Sequence, residues 1–143
     1  MILSMRSLPI IHETVNTAGR NQMIDITEPL ARAVTQRGVR DGYAIVFVPH
    51  TTAACTIQEN ADPAVQNDLL EKLEKLVPQM ETYYQHDEGN SDSHVKTAMV
   101  GNSTMVLIEN GRLVLGRWQG IYLVEFDGPR ERRVMFKLVD LAA

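Results

Sequence analysis

Most of the apolar residues lie in short segments whose composition predicts β-strands. These segments are rich in β-branched and aromatic residues and are bounded by glycine, proline, asparagine or aspartate. They cover residues 8–15, 43–48, 104–109, 112–115, 120–126 and 133–139, and an apolar pattern also resumes after Thr52 and runs through Ile57. The pattern therefore predicts about seven strands.

Two longer segments repeat apolar residues at helical spacing. The first is predicted to begin at Thr27, whose hydroxyl can cap a helix, and to end at Gly38, with three residues facing inward: Leu30, Ala33 and Val34. The second has Asp62 as its N-cap and Pro63 in its first position, and Pro78 follows it. Its apolar stripe is expected to pack against the core and consists of Val65, Leu69, Leu73 and Leu76.

A polar segment and a third, shorter helix are predicted next. Residues 79–90 form a long loop, and loops of this length inside a small domain are often functional. A helix beginning near Ser91 or Asp92 should end near Val100, before Gly101. His94 would lie in its first turn, where the positive end of the helix dipole disfavours a charged imidazole.

These elements predict one α+β domain over residues 1–143. The Asn110-Gly111 dipeptide is a strong signal for a two-residue hairpin, and the strands near the carboxyl end follow one another in sequence. Helices occur earlier in the chain, which disfavours a doubly wound parallel sheet. Neither the dinucleotide pattern GxGxxG nor the P-loop pattern GxxxxGK[ST] is present.

Composition restricts the class of protein further. The formal net charge is −4, and no interleaving of basic and aromatic residues indicates nucleic-acid binding. Cys55 is the only cysteine, so we expect no disulfide framework and a reducing, cytoplasmic setting. The longest apolar run is far too short to cross a membrane, and we expect neither a signal peptide nor a membrane partner.

Three of the four histidines lie beside loop residues, and together they could hold a divalent metal. They are His50, His86 and His94. Imidazole accepts zinc, nickel, copper and iron, and catalytic zinc sites often use three protein ligands with one open position. The spacing is not a compact metal motif, and each histidine alone could equally be a hydrogen-bonded structural residue. Glu59 could orient one of these histidines. Because it follows a strand, it could instead be an ordinary polar loop residue.

Three arginines follow the Gly128-Pro129 turn: Arg130, Arg132 and Arg133. Arginine binds phosphate through two parallel hydrogen bonds, which would suit a phosphorylated substrate. An exposed charged strand edge that prevents pairing between sheets is the alternative, and the residues alone favour it. If the strand has begun by then, Arg130 and Arg132 share one face and Arg133 lies on the other.

Trp118 and Gln119 lie between two glycines. Gln119 could recognise an amide-bearing ligand, whereas Trp118 could fill the core or a subunit interface. Asp68 lies off the apolar stripe of its helix and is expected to be solvated.

The chain resembles the YjbQ family, whose members are often called secondary thiamine-phosphate synthases. The resemblance extends over nearly the whole chain in order and is carried by five segments: residues 50–54, residues 59–63, Asn90 with His94, residues 111–121 and residues 125–132. Arg117 departs from it, since a small threonine is usual there, and so does Gln58, where asparagine is common.

The resemblance implies two packed, largely antiparallel sheets in a homotrimer, with sites near subunit boundaries. It implies synthesis of thiamine phosphate from a pyrimidine pyrophosphate and a thiazole phosphate. The metal ligands would be His50, His86 and His94. The catalytic residues would be Glu59, Asp68, Arg130 and Arg132. Substrate would contact Thr51, Thr52, Asn90 and Gln119. The cofactor would be zinc or another imidazole-binding ion, with magnesium as an alternative alongside pyrophosphate.

Two other functions remain open. A metal-dependent hydrolase would use the same histidines to activate water against a small phosphorylated metabolite. A trimeric binding protein would hold such a ligand without turnover.

Overall fold

The computed structural model describes residues 4–141 and contains nine strands and three helices in that range. The strands are β1 (Arg6–Ser7), β2 (Ile11–Asn16), β3 (Gln22–Asp25), β4 (Asp41–Phe47), β5 (Ala53–Glu59), β6 (Ser103–Glu109), β7 (Arg112–Val114), β8 (Gln119–Glu125) and β9 (Glu131–Asp140). The helices are α1 (Thr27–Arg37), α2 (Pro63–Leu76) and α3 (Ser91–Val100).

The larger sheet has six antiparallel strands arranged around β9. Its order is β1-β9-β4-β6-β7, and β2 also pairs with β9. The β2–β9 register runs from Ile11 opposite Phe136 to Asn16 opposite Glu131. On its other side, residues 135–140 of β9 pair with β4, so the strand is internal to the sheet toward its carboxyl end.

The smaller sheet has three antiparallel strands in the order β3-β8-β5 and packs face to face with the larger one. Alternate residues of both sheets enter one core, as their period of two requires, and α1 closes it with Leu30 and Val34. The other face of the smaller sheet carries Tyr122 and Val124 and is covered by residues of α2 and α3. The prediction of an α+β protein with two largely antiparallel sheets is confirmed, although the strands number nine rather than about seven.

The two unpredicted strands, β1 and β3, are both short. β1 has only two residues, and β3 has four, of which three are half-buried. Neither is long enough to give a recognisable alternation, and β3 is held by its pairing with β8.

The cap predicted for α1 is wrong, whereas the cap predicted for α2 is confirmed. The Thr27 hydroxyl accepts a hydrogen bond from the amide of Ile121 at 2.9 Å and so holds α1 to β8. Ile26 is the N-cap of α1 and makes no side-chain cap bond. In α2, by contrast, Asp62 accepts from the amide of Ala64 at 2.9 Å.

The apolar stripe of α2 packs less closely than predicted. None of the fourteen residues of α2 is buried, and Leu76 is 57% exposed. Leu70 and Leu73 contact the apolar cluster on the smaller sheet and are only partly buried. The helix therefore lies loosely over this sheet and leaves a cleft of about 80 Å³ beneath it.

The outward face of the larger sheet is apolar at its centre, and no other described element covers it. Four exposed side chains lie there: Phe47, Met105, Leu107 and Val114. An apolar face of this kind marks a contact surface in many proteins. None of the described helices is long and apolar enough to span a membrane.

Candidate functional site

The predicted site residues divide between the two ends of the smaller sheet. Thr52 immediately precedes β5, and Glu59 ends it, directly opposite Gln119 of β8. Seven strand residues separate the two ends by about 20 Å. One chain therefore does not bring all the predicted residues into a single site.

At the first end, Arg132 and Glu125 form a buried ion pair. Arg132 donates from Nε to Oε1 of Glu125 at 2.8 Å, from Nη2 to Oε2 of the same residue, and from Nη2 to the hydroxyl of Thr52 at 2.8 Å. Burial alone would raise the pKa of Glu125, but the hydrogen bonds from Arg132, the Asp127 amide and Thr17 outweigh it and lower the pKa. The guanidinium is thus engaged by protein groups and holds the Thr52 loop to β9.

The strand-edge explanation is wrong for Arg132, because its side chain is buried against Glu125. At Arg132 and Arg133, β9 pairs with β2 on one side, and its pairing with β4 on the other side begins only at Met135. Arg132 faces inward and Arg133 outward, as their parity predicts. Arg130 precedes β9, is half exposed, and therefore shares no strand face with Arg132.

Arg130 and Asn90 meet at the carboxylate of Asp127. Oδ2 of Asp127 accepts from Nη2 of Arg130 at 3.0 Å and from Nδ2 of Asn90 at 2.8 Å. Nε of Arg130 also donates to the Asp127 carbonyl at 2.8 Å. The carboxylate orients both side chains at the amino end of α3.

The other amide atom of Asn90 has no partner among residues 4–141. Asn90 is only 7% exposed, and its Oδ1 accepts no hydrogen bond. An unsatisfied buried acceptor costs about 1–3 kcal/mol, so such atoms are uncommon unless a ligand, an ion or water satisfies them. Asn90 Oδ1 is therefore a candidate ligand-binding atom.

His86 and His94 lie against each other one helical turn from Asn90. Their ring centroids are 5.4 Å apart and the rings are nearly perpendicular. With Ser91 and Val95 they line an open depression of about 340 Å³. His94 lies in the first turn of α3, as predicted, and His86 Nε2 lies 3.5 Å from Glu88.

His50 has a different environment. Its Nε2 accepts a hydrogen bond from the backbone amide of Arg133 at 2.9 Å. Burial, followed by the nearby charge of Arg132, lowers the pKa of His50. A ring nitrogen that accepts from a backbone amide carries no hydrogen, so the imidazole is neutral in this arrangement.

The chemistry and spacing of the histidines fit a metal ion only in part. Two imidazoles on one tetrahedral zinc ion place their ring centroids about 5 Å apart, and the His86–His94 separation fits this. Residues 4–141 contain no group of three histidine, cysteine, aspartate or glutamate side chains that could share an ion. His86 and His94 fit a metal as a pair, and further ligands would have to be water, substrate or another subunit.

A buried charge network, which the sequence did not reveal, supports the first turn of α3. Asp92 is fully buried and accepts from both terminal nitrogens of Arg20, at 3.0 and 2.9 Å, and from Lys96 at 2.9 Å. Lys96 also donates to Glu74 of α2. Burial would raise the pKa of Asp92, but Arg20 and Lys96 lower it. In the sequence, only the i, i+4 spacing of Asp92 and Lys96 indicated this network.

Asn102 is a second residue that the sequence analysis missed. Its amide donates to the carbonyls of Val48, His50 and Ala53 at 3.2, 2.7 and 3.4 Å. The side chain therefore fixes the loop that carries His50, Thr51 and Thr52. Thr51 is exposed on this loop, whereas Thr52 is buried.

At the second end of the sheet, the predicted residues are more open. Gln119 accepts from the Gly116 amide through Oε1 at 2.7 Å and so closes a turn. Trp118 is 52% exposed, and the Arg117 guanidinium stacks 4.7 Å from its ring. Asp68 is exposed on α2, as its periodicity predicted.

Comparisons with known proteins agree with this fold. The family model "UPF0047 protein YjbQ-like" matches residues 12–140. UPF0047 protein YugU of Bacillus subtilis is 45% identical over 125 residues, which are 87% of this chain and 95% of YugU. The crystal structure of an uncharacterized conserved YjbQ/UPF0047 family protein from Clostridium acetobutylicum is 50% identical, with a TM-score of 0.85 over 92% of this chain and 98% of that one.

A more distant structure agrees equally well. The YbjQ-like protein of unknown function from Sulfolobus solfataricus P2 is 28% identical, with a TM-score of 0.90 over 96% of this chain and 99% of that one. Sequence and fold agree over nearly the full length of each relative. The chain therefore belongs to the YjbQ family, also designated UPF0047.

Proposed function

We propose that the protein is a secondary thiamine-phosphate synthase. In this reaction the thiazole nitrogen attacks the methylene carbon of a hydroxymethylpyrimidine pyrophosphate. A C–N bond forms, the C–O bond to the leaving group breaks, and pyrophosphate departs. The thiazole phosphate becomes part of thiamine phosphate, so no oxidant or further reactant is required.

The observation that carries this proposal is the buried, unpaired Oδ1 of Asn90 beside a cation. An aminopyrimidine presents an N–H donor that this oxygen can accept. Arg130 is held at the same carboxylate of Asp127 and remains half exposed. One small region thus offers an acceptor for the pyrimidine and a positive charge for its pyrophosphate.

The chemistry requires stabilisation of developing negative charge more than a covalent nucleophile. Preorganised cations lower the barrier when charge accumulates on a leaving group, and removing one such donor commonly costs on the order of a hundredfold in rate. Arg130 is the exposed guanidinium in this role. Arg132 acts indirectly, because its bonds to Glu125 and Thr52 hold the loop with Thr51.

His86 and His94 would hold a divalent metal, zinc or another imidazole-binding ion. When bound, such an ion supplies positive charge to phosphoryl oxygens. Asp92, locked by Arg20 and Lys96, fixes the turn that carries His94. With magnesium, pyrophosphate oxygens would replace the imidazoles as principal ligands.

A homotrimer with sites at its subunit boundaries is part of this proposal. Glu59 and Gln119 are separated from Thr52 by the length of β5, so a second chain must supply them if they share the site. The uncovered apolar face of the larger sheet offers a contact surface.

The test is to incubate the protein with the pyrimidine pyrophosphate, with and without the thiazole phosphate, and to quantify products by mass spectrometry. A synthase forms thiamine phosphate only with both substrates, with one pyrophosphate per product. His94→Ala and Arg130→Ala should each lower kcat/KM on the order of a hundredfold. His12→Ala and Arg133→Ala are matched controls on exposed strand positions and should retain activity.

Two results would contradict the proposal. Release of phosphate or pyrophosphate without the thiazole acceptor would assign a hydrolase, and ligand binding without any product would assign a binding protein. Unchanged turnover in both His94→Ala and Arg130→Ala, with homogeneous protein, would remove this site from the reaction.

A further inference from the structure

His50 differs from His86 and His94 in the way its ring is bound. Nε2 of His50 accepts from the backbone amide of Arg133 at 2.9 Å. A backbone amide can only donate, so this ring nitrogen must carry its lone pair and no hydrogen. In a neutral imidazole the hydrogen is then on Nδ1.

The fold explains why this bond exists. The register between β4 and β9 runs from Gly42 opposite Asp140 to Phe47 opposite Met135. Continued by two residues, it would set Pro49 opposite Arg133, but β4 ends at Phe47. The His50 ring supplies the acceptor for the Arg133 amide where the strand has ended.

The backbone of His50 is held as well. Nδ2 of Asn102 donates to the His50 carbonyl at 2.7 Å. Backbone and ring are thus fixed independently, so turning the ring to expose Nε2 would break the bond to Arg133. With Nε2 occupied and Nδ1 protonated, neither nitrogen offers a free lone pair to an ion.

We infer that His50 is not a metal ligand but a neutral Nδ1–H donor to an anionic phosphoryl oxygen of the substrate. The charges of Arg132 and Arg130 act on the ring in one sense, and that of Glu125 acts in the other. Carboxylates keep both guanidinium groups in place beside the ring. A phosphoryl oxygen is the kind of acceptor that an N–H donor flanked by two arginines binds. The identity of the anion as pyrophosphate rests on the proposed function, whereas the tautomer does not.

The first test is nitrogen NMR of the full-length protein with ¹⁵N-labelled histidine. His50→Asn identifies the His50 signals by their loss. We expect Nδ1 to resonate as a protonated nitrogen and Nε2 as an unprotonated one, and zinc addition should leave both unchanged. An Nε2-protonated ring, or zinc-dependent shifts at either nitrogen of His50, would overturn the inference.

The second test compares two amides that replace different ring nitrogens. Asparagine at 50 places an amide near the position of Nδ1, and glutamine places one near Nε2. Pyrophosphate binding, measured by calorimetry, should remain within about threefold of wild type in His50→Asn and weaken about tenfold in His50→Gln, as for one lost charge-assisted hydrogen bond. Circular dichroism should show both variants folded.

These outcomes separate this inference from the proposed function. Equal weakening in both folded variants, or a wild-type protein that binds no pyrophosphate, would overturn the anion assignment. The protein could form no thiamine phosphate and still show the expected tautomer and the expected difference between His50→Asn and His50→Gln. That result would overturn only the proposed synthase function. Zinc bound by wild type and lost in His50→Asn would restore His50 as a ligand.

Discussion

Arg132 and Glu125 are paired through two hydrogen bonds in the interior, and they join β9 of the larger sheet to β8 of the smaller one. The side chain of Arg132 is 3% exposed and that of Glu125 is fully buried. Thr17 donates to the same carboxylate at 2.8 Å. The pair therefore fastens the two sheets together beside the loop that carries His50.

Removing one charge from this pair should strongly destabilise the protein. Arg132→Met leaves Glu125 buried without its counter-ion, which typically costs about 3–5 kcal/mol. Arg133→Met, at the neighbouring outward position, is the matched control and should change stability by about 0.5 kcal/mol or less. Urea unfolding at one fixed protein concentration measures both. Similar losses in the two variants would show that the buried pair has no special role.

Stability should decrease in acid. The folded-state pKa values of Glu125 and Asp92 lie below their ordinary values of 4.5 and 3.8. A carboxyl with a lowered folded pKa stabilises the protein above its unfolded pKa, and this contribution is lost as the pH falls through the folded pKa. The free energy of unfolding should therefore fall below about pH 4.5, measured by urea titrations from pH 7 to pH 3. Asp92→Asn should make that fall shallower, and an identical pH dependence in the variant would contradict the explanation.

Cys55 should be chemically inert in the folded protein. Burial raises the pKa of its thiol to about 12, from an ordinary value of 9.0. Because the thiolate is the reacting form, we expect reaction with a disulfide reagent at pH 8 about a thousandfold slower than in the unfolded chain. Absorbance of the released thiol, with and without denaturant, measures the two rates. Rapid stoichiometric labelling of the native protein would contradict the buried placement.

Gly128→Ala should destabilise the loop that precedes β9. A Cβ atom there would lie 2.3 Å from the Gly19 carbonyl oxygen and 2.8 Å from both Glu125 Cγ and Thr17 Oγ1. Overpacking of this kind commonly costs about 1–3 kcal/mol. Gly19→Ala is the control, because its Cβ would meet only the Asn21 carbonyl oxygen at 3.7 Å. Thermal unfolding should show a lower Tm for Gly128→Ala and an unchanged Tm for Gly19→Ala.

Local signals predicted several elements correctly. The Asp62 cap depends on two residues that are two positions apart in the chain. The Asn110-Gly111 turn has positive φ at both residues, 54° and 75°, as a two-residue hairpin requires. Each of these features is determined by residues close together in sequence.

Features that depend on distant partners were less predictable. Thr27 has the composition of a cap, but it bonds to Ile121, which is 94 residues away. The arginines look like an exposed edge until Arg132 is seen to pair with Glu125 in the interior. Spacing along the chain carries little information about such pairings.

Within the candidate site, too, contacts were predictable only between residues that are close in sequence. His86 and His94 are near in sequence and meet in the fold, whereas His50 bonds to a backbone amide 83 residues away. The partner of Arg132 could not be inferred, because Glu125 lies on another strand. The topology, and not the spacing along the chain, determines which of these residues lie together.

The internal position of β9 also affects how the protein is made. A ribosome synthesises Glu131–Asp140 after every strand with which this segment pairs. Until that segment emerges, β1 and β2 have no neighbour in the sheet, and the Thr52 loop lacks the guanidinium that holds it. A nascent chain that stalls before this point exposes unpaired strand edges, and its Thr52 loop has no anchor. Such incomplete products should be susceptible to cellular proteases, so that only finished chains persist.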